Sequence, residues 1–200
     1  MAAGRPRSFD VDQALDQALA VFWAKGYEGT SLSDLTLAMG INPPSLYAAF
    51  GNKEQLFGKV IARYEAGPAA HLAAALQEPT ARAVAEAFLR GAVAVQTNPK
   101  TPRGCLMVQG ALACGAAADP VRKKLALRRE AGQAALRDRF ERAKAEGDLP
   151  QDADPAGLAR YLTAVVNGMA VLAAGGESRA ALEAVADQAL AALQIGRISV

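Results

Sequence analysis

The sequence predicts an all-α protein in two parts, a three-helix N-terminal unit built around a helix-turn-helix and a larger helical C-terminal unit. Three observations predict this. Apolar residues make up 52% of the chain and alanine is abundant, whereas aromatics reach only 6% and β-branched runs are missing, which favours closely packed helices over sheets. Apolar positions recur at spacings of three and four in most segments. Between the segments stand glycines, prolines and small polar residues in the places that start and stop helices. At 200 residues the chain can bury a real core, as one moderate domain or two small ones.

The first helix is expected from Val11 to Lys25. Asp10 and Gln13 have the spacing of a capping pair, and Gly26 closes the helix. Val11, Leu15, Leu19 and Phe22, with Ala14 and Ala18, form its apolar stripe, and Trp23 is assigned to the core. Thr30 stands where a second N-cap is needed, and Leu32, Leu35 and Met39 give the buried face of that helix. Gly40 ends it at a position that calls for a left-handed residue. Asn42 then caps a third helix, Pro43 to Ala49, whose opening prolines carry a helical φ and lack only an N–H that would be unpaired anyway.

That third helix is too short to stand alone in water. Leu46 and Phe50 must hold it down, which leaves Ser45, Tyr47 and Ala48 facing outward. A short, rigidly held helix with small and hydroxyl-bearing residues on its free face suits a DNA major groove. The candidate DNA-contacting residues are Thr30, Ser31, Pro43, Pro44, Ser45, Tyr47 and Lys53, joined by Arg5 and Arg7 of an N-terminal arm that reaches toward phosphates or the adjacent minor groove. Lys53 opens a fourth helix, capped by Asn52 and Gln55, at a position where the helix dipole prefers an acid. It reads either as a cation set out for an anionic partner or as a plain surface lysine. Within residues 1–56 four basic residues (Arg5, Arg7, Lys25, Lys53) face six acidic ones (Asp10, Asp12, Asp16, Glu28, Asp34, Glu54), so binding has to rest on where charges sit.

Gly67-Pro68 breaks the fourth helix near Ala66. Helices are then expected at His71 to Gln77, from a Thr80 cap to Gln96, and over the apolar run Gly104 to Ala118, read as a central buried helix. Asp119-Pro120 opens a long helix to about Glu146, whose many arginines and lysines fit a solvated, ion-paired face. Pro155 starts the next helix. Leu158, Leu162, Val165, Met169 and Leu172 form a coiled-coil-like seam on it, and Leu182, Val185, Ala189 and Leu193 form another on a last helix capped by Ser178. Two such helices meeting their copies would complete a four-helix bundle, so these residues are the expected homodimer interface.

The stretch FWAKGYEGTSLSDLTLAMGINPPSLYAAFGNKEQLF, Phe22 to Phe57, resembles the DNA-binding domain of the TetR/AcrR family of bacterial repressors. The marks that carry the resemblance are GYEGTSL, the AMGI turn and SLYAAFGNKEQLF, in order over about a quarter of the chain. The resemblance implies a helix-turn-helix DNA-binding domain over 1–53 and a helical effector-binding and dimerisation domain over 54–200. It implies a homodimer on double-stranded palindromic operator DNA, released by a small molecule or by thiol modification. Tyr47 would contact the DNA backbone, and Pro44 departs from the polar residue that many relatives carry there. An effector pocket would lie among the fourth to eighth helices, with Tyr64, Phe88, Cys105, Met107, Gln109, Tyr161 and Asn167 as candidate lining residues. Cys105, in the context Arg103-Gly104-Cys105, is either a sensing thiol, favoured by helix dipole and guanidinium, or a small packed side chain.

Other chemistry finds little support. There is no phosphate loop, and His71 is the only histidine, so no metal site or cofactor is expected. Two cysteines without a framework fit a reducing compartment, and Cys114 is assigned to the core. No apolar run appears long enough to span a bilayer and the N-terminus does not read as a signal peptide, so a cytoplasmic protein without a membrane partner is expected. The rival functions are a thiol-dependent enzyme using Cys105, which lacks an evident general base, and a helical scaffold that no longer binds DNA.

Overall fold

The structure, a computed structural model, describes residues 9–110 and 115–193. Among them all regular structure is helical. The order is α1 (Val11–Lys25), α2 (Leu32–Met39), α3 (Pro43–Phe50), α4 (Lys53–Ala66), α5 (His71–Ala75), α6 (Ala81–Gln96), α7 (Leu106–Gln109), α8 (Asp119–Ala145), α9 (Pro155–Ala174) and α10 (Arg179–Ala192). Short 3₁₀ turns at Pro68–Ala70 and Ala116–Ala118 lead into α5 and α8. Arg5, Arg7 and Cys114 lie outside the described residues.

Two apolar clusters organise these helices. The first gathers Ala18, Phe22 and Trp23 of α1, Leu35 and Met39 of α2, Leu46 and Phe50 of α3, and Leu56, Phe57, Val60, Ile61 and Tyr64 of α4. Its aromatic centre is an edge-to-face contact of Phe22 with Phe57, ring centroids 4.9 Å apart. Leu106, Val121 and Leu125 extend it into the C-terminal half, so α4 and the start of α8 share one core with the helix-turn-helix. The second cluster is built from α6, α8, α9 and α10, with Phe88, Leu89, Leu136, Phe140, Leu162 and Met169 among its buried side chains.

The helix expected over Gly104 to Ala118 does not form as one element. Gly104 takes φ +87°, and Cys105 is extended, which leaves only the single turn of α7 before Gly110. The carbonyl of Gly110 accepts from the amide of Tyr27 at 2.8 Å, a partner outside the segment, and Gly115 is again extended. Of the apolar run, the single turn of α7 packs against α1, α4, α8 and α9, with Leu106 and Val108 buried.

The seams on α9 and α10 face inward. Leu162, Met169, Leu182, Ala189 and Leu193 are buried in the chain's own core, while Leu158, Val165 and Val185 are partly buried against it. Only Leu172 of the expected interface is openly exposed. The most apolar stripe of α9 packs on α6 and α8 and that of α10 on α6 and α9, and a second stripe points out: Tyr161, Ala164, Gly168, Val171 and Leu172 on α9, Ala184, Gln188 and Ala191 on α10. By length and composition α9 is long and apolar enough to cross a membrane, contrary to the sequence expectation, but its apolar face packs on α6, α8 and α10.

Candidate nucleic-acid interface and the cavity behind it

The helix-turn-helix is fixed by local caps. Ser31 is the N-cap of α2: its Oγ accepts from the Asp34 amide at 3.0 Å, and the Asp34 carboxylate accepts from the Ser31 amide at 2.9 Å. Lys25 donates to the same carboxylate at 2.6 Å, and this contact, with the Ser31 bonds, holds the Asp34 carboxyl well below the usual carboxylate range. Thr30, expected as the cap and as a DNA contact, is instead buried, and its hydroxyl donates to the Gly26 carbonyl at 2.7 Å. The cap lies one residue later because a reciprocal partner stands three residues after Ser31 and none after Thr30. Gly40 adopts the left-handed conformation, φ 65° and ψ 28°, with no atom near a would-be Cβ, so the turn needs glycine for its dihedral alone.

α3 begins as expected, with Asn42 Oδ1 accepting from the Ser45 amide at 2.9 Å ahead of Pro43 and Pro44. Leu46 and Phe50 are buried, and Pro43, Pro44, Tyr47 and Ala48 are exposed, with Ser45 half-buried. Tyr47 is 48% exposed, an aromatic ring standing in solvent on the free face of a helix locked at both ends. Asn52 and Gln55 exchange bonds of 2.8 and 2.9 Å to start α4. Lys53 places its ammonium 4.5 Å from the centroid of the Tyr27 ring, which itself packs on Phe57.

Behind this unit lies a cavity of about 350 Å³ walled by α5, α6, α7, α8 and α9. Of the seven expected lining residues, Phe88, Cys105, Met107 and Asn167 line it. Tyr64 lies beneath, its hydroxyl donating to Cys105 Sγ at 3.3 Å, and burial with the adjacent thiol pushes its pKa well up. Gln109 turns back to accept from the Cys105 amide at 3.0 Å, and Tyr161 sits on the outer face of α9, so neither belongs to the wall. His71, the lone imidazole, which the sequence reads as structural or exposed with a pocket role as the alternative, does belong. Its ring stacks on Phe88 at 6.0 Å and its Nδ1 donates to the Pro68 carbonyl at 3.2 Å, which makes Nε2 the acceptor of the neutral ring; burial pushes its pKa down. Arg129, read as part of a solvated face, reaches in to donate to the Met107 carbonyl at 2.6 Å. Its direction is set by the position of a carbonyl in another segment, which no periodicity reports.

Cys105 loses both of the features expected to activate it. α7 is a single turn, and the Arg103 guanidinium is turned away, donating to Ala173 at 2.9 Å and to the Glu177 carbonyl at the C-terminal end of α9. Arg103 thus anchors to α9 the same segment that Gly110 anchors to Tyr27, and the Glu28 carboxylate accepts from the Gly115 amide at 3.0 Å farther along. Among the described residues no group of histidine, cysteine and carboxylate side chains is arranged to hold a metal.

Comparison with known proteins agrees with this geometry. Residues 14–60 match the family described as bacterial regulatory proteins, tetR family, and residues 79–189 match the tetracyclin repressor-like C-terminal domain. The transcriptional repressor ComR of Escherichia coli (strain K12) is 34% identical over 177 residues, 88% of this chain and 84% of that protein. A cysteine mutant of the TetR family regulator CifR, solved in complex with 26-base-pair double-strand operator DNA, is 43% identical with a TM-score of 0.91 over 94% of this chain and 99% of that one. A regulator from Rhodococcus sp. RHA1 is 45% identical with a TM-score of 0.62, covering 91% of this chain and 98% of its own. A capped, exposed α3 ahead of a C-terminal unit that matches the same family makes this chain a member of the TetR family and a DNA-binding regulator of transcription.

Proposed function

We propose that this regulator is a repressor that binds near-palindromic double-stranded DNA as a homodimer and is released when a small molecule fills the cavity of α5–α9. The observation that carries the reading is α3: a helix capped by Asn42, buried through Leu46 and Phe50, and offering Pro44, Tyr47 and Ala48 to a partner. Tyr47 and Lys53 are the proposed phosphate contacts, with Ser31 and Ser45 beside them and Arg5 and Arg7 as the arm. Pro43 and Pro44 offer shape rather than hydrogen bonds, so sequence preference falls to few side chains. The named functions of ComR and of BdcR, both transcriptional repressors, support the repressor assignment. The high similarity to operator-complexed CifR supports taking the arrangement described here as the DNA-competent one. Acting on DNA, the protein belongs in the cytoplasm.

The small-residue stripe of α9 and α10, centred on Gly168, Val171 and Leu172, is the proposed homodimer surface, in place of the inward seams. α1–α3 form the reading unit, α5–α10 the effector and dimer unit, and α4, whose side chains lie in the first core, joins them. The cavity offers an apolar wall with few polar atoms, His71 Nε2 and the hydroxyl of Thr163 among them, which suits a largely apolar effector with one hydrogen-bonding end. Cys105 lines the same cavity, so an electrophile entering it would meet the sulfur. Capture of genomic fragments on the purified protein, then footprinting, tests the reading. A protected palindrome supports it, and retention of no fragment at low salt contradicts it.

A further inference from the structure

The eight residues of α3, Pro43-Pro44-Ser45-Leu46-Tyr47-Ala48-Ala49-Phe50, include no arginine, lysine, asparagine, glutamine, aspartate or glutamate. Those are the side chains that pair with base edges in the major groove: arginine and lysine with guanine, the amides with adenine, the acids with cytosine. The start of the helix is equally poor in donors. Pro43 and Pro44 have no amide hydrogen, the Ser45 amide donates to Asn42 Oδ1 at 2.9 Å, and the Leu46 amide donates to the Asn42 carbonyl at 3.1 Å. The first amides, which helices offer to phosphate, are thus missing or already paired. Asn42 itself is exposed, but its Oδ1 is held in the cap, which removes the acceptor half of a two-pronged contact with adenine.

What the helix does offer is apolar surface. Pro44, Tyr47 and Ala48 are exposed and, at spacings of three and four, share one face, while Ser45 is half-buried. Pro44 and Ala48 lie about 6 Å apart along the axis by the rise of an α-helix. That is close to two base-pair steps of about 3.4 Å each. The major groove presents one apolar group, the 5-methyl of thymine, and small apolar side chains contact it. Membership in a family of DNA-binding regulators makes duplex DNA the occupant of this face.

Resting on the reading that α3 enters the major groove, we infer that it selects its site through thymine 5-methyl groups packed on Pro44 and Ala48, and not through hydrogen bonds from the helix to base edges. Tyr47 remains the proposed phosphate contact. Each half-site then carries thymine opposite Pro44, opposite Ala48, or at both places. A cytosine there has no methyl to fill the contact, and a purine edge would meet an apolar surface that leaves its polar atoms without partners. The Arg5 and Arg7 arm, reading the minor groove, would also favour A·T pairs. Uracil separates the two effects, because it keeps the minor-groove edge of thymine and lacks only the methyl.

The intact protein is selected against randomised DNA duplexes, and the enriched duplex is remade with single thymines replaced by deoxyuridine. Affinities are read by fluorescence anisotropy at one salt concentration. One or two replacements in each half-site are expected to weaken binding about fourfold apiece, the effect of losing one buried methyl. In Pro44→Ser and Ala48→Ser, both at exposed positions, one of these thymine effects is expected to disappear while the salt dependence stays that of the parent. An enriched site at which no uracil replacement changes affinity overturns the inference and leaves the DNA-binding reading standing. Replacements that weaken binding equally in the parent and in both variants also overturn it, since the methyls are then read elsewhere. Enrichment of no duplex at low salt removes the reading of α3 as a groove-entering helix, and the inference falls with it.

Discussion

The amide of Tyr27 donates to the carbonyl of Gly110 across 2.8 Å, tying the turn ahead of the helix-turn-helix to the segment that walls the cavity of α5–α9. Followed in one direction, that segment passes Met107 and Cys105 at the cavity and ends at Arg103, clamped on the C-terminus of α9. Followed in the other, Tyr27 packs on Phe57 and lies under the Lys53 ammonium at the mouth of the DNA-binding unit. The cavity, α9 and the proposed DNA-facing residues thus lie along one physically continuous path. In the proposed mechanism a ligand that displaces Met107 or Cys105 would move Gly110 and, through it, Tyr27. Since successive major grooves repeat at about 34 Å, a shift of a few ångströms between paired recognition helices costs one half-site.

Gly26 is the first test of that path. It sits at φ 70° and ψ 177°, a region open essentially to glycine, and a Cβ there would lie 3.5 Å from the carbonyl oxygens of both Gln109 and Gly110. Gly26→Ala is expected to lower stability by about 1–3 kcal/mol through the dihedral alone. Urea unfolding measures the loss, and an unchanged midpoint would show that the turn has another conformation available.

Lys53 bears on phosphate binding. Lys53→Gln is expected to weaken operator and non-operator DNA alike and to reduce the slope of log affinity against log salt by about one unit. Fluorescence anisotropy over a salt series reads both. A variant that loses affinity for one sequence only would make Lys53 a base-reading residue instead.

His71 gives a pH dependence of known sign. Burial lowers its pKa in the folded state, with the Pro68 carbonyl opposing weakly, so the unfolded chain takes up the proton first as pH falls. The stability attached to the neutral ring is complete above the ordinary histidine value of about 6.5 and is lost as pH drops from there toward the lowered folded pKa. As the chain holds no other histidine, His71→Gln should flatten the midpoint of thermal unfolding between about pH 6.5 and 5 relative to the parent. A parallel decline in both proteins would place the titrating group elsewhere.

The two faces of α9 separate dimerisation from folding. Leu172 is exposed and Leu162 fully buried. Leu172→Glu is expected to give a folded monomer by sedimentation, because a charge enters the proposed interface without touching the core. Leu162→Ala is expected to cost about 2–5 kcal/mol of stability by leaving a cavity in the core. Dimers that survive Leu172→Glu would move the interface to another surface.

The sequence was most legible where one residue type answers one local need. Gly40, Asn42, Pro43 and Gly26 stand where the turns and caps require them, and Leu46 and Phe50 hold α3 as their spacing predicts. It was least legible where partners come from far along the chain. Periodicity located the apolar stripes of α9 and α10 but could not say that α6 would cover both and α8 the first, so the outward small-residue stripe was missed. The apolar run after Gly104 gave no sign that α7 would be a single turn or that the Gly110 carbonyl would pair with the distant Tyr27 amide. Arg103 looked like a neighbour for the Cys105 thiol in sequence, and its guanidinium lies instead on α9, seventy residues away. Four of the seven candidate residues chosen by type line the cavity, while His71 and Arg129 depended on which helices meet.

The most direct test of the account is a footprint of the protein on genomic fragments that it retains, repeated with Tyr47→Ala. The account predicts two protected half-sites centred about one helical turn apart, or a multiple of it, on one face of the duplex, with protection lost in the variant while its fold is kept. Equal protection by the Tyr47→Ala protein, or half-sites at a spacing that two α3 helices related by a twofold axis cannot meet, would contradict it.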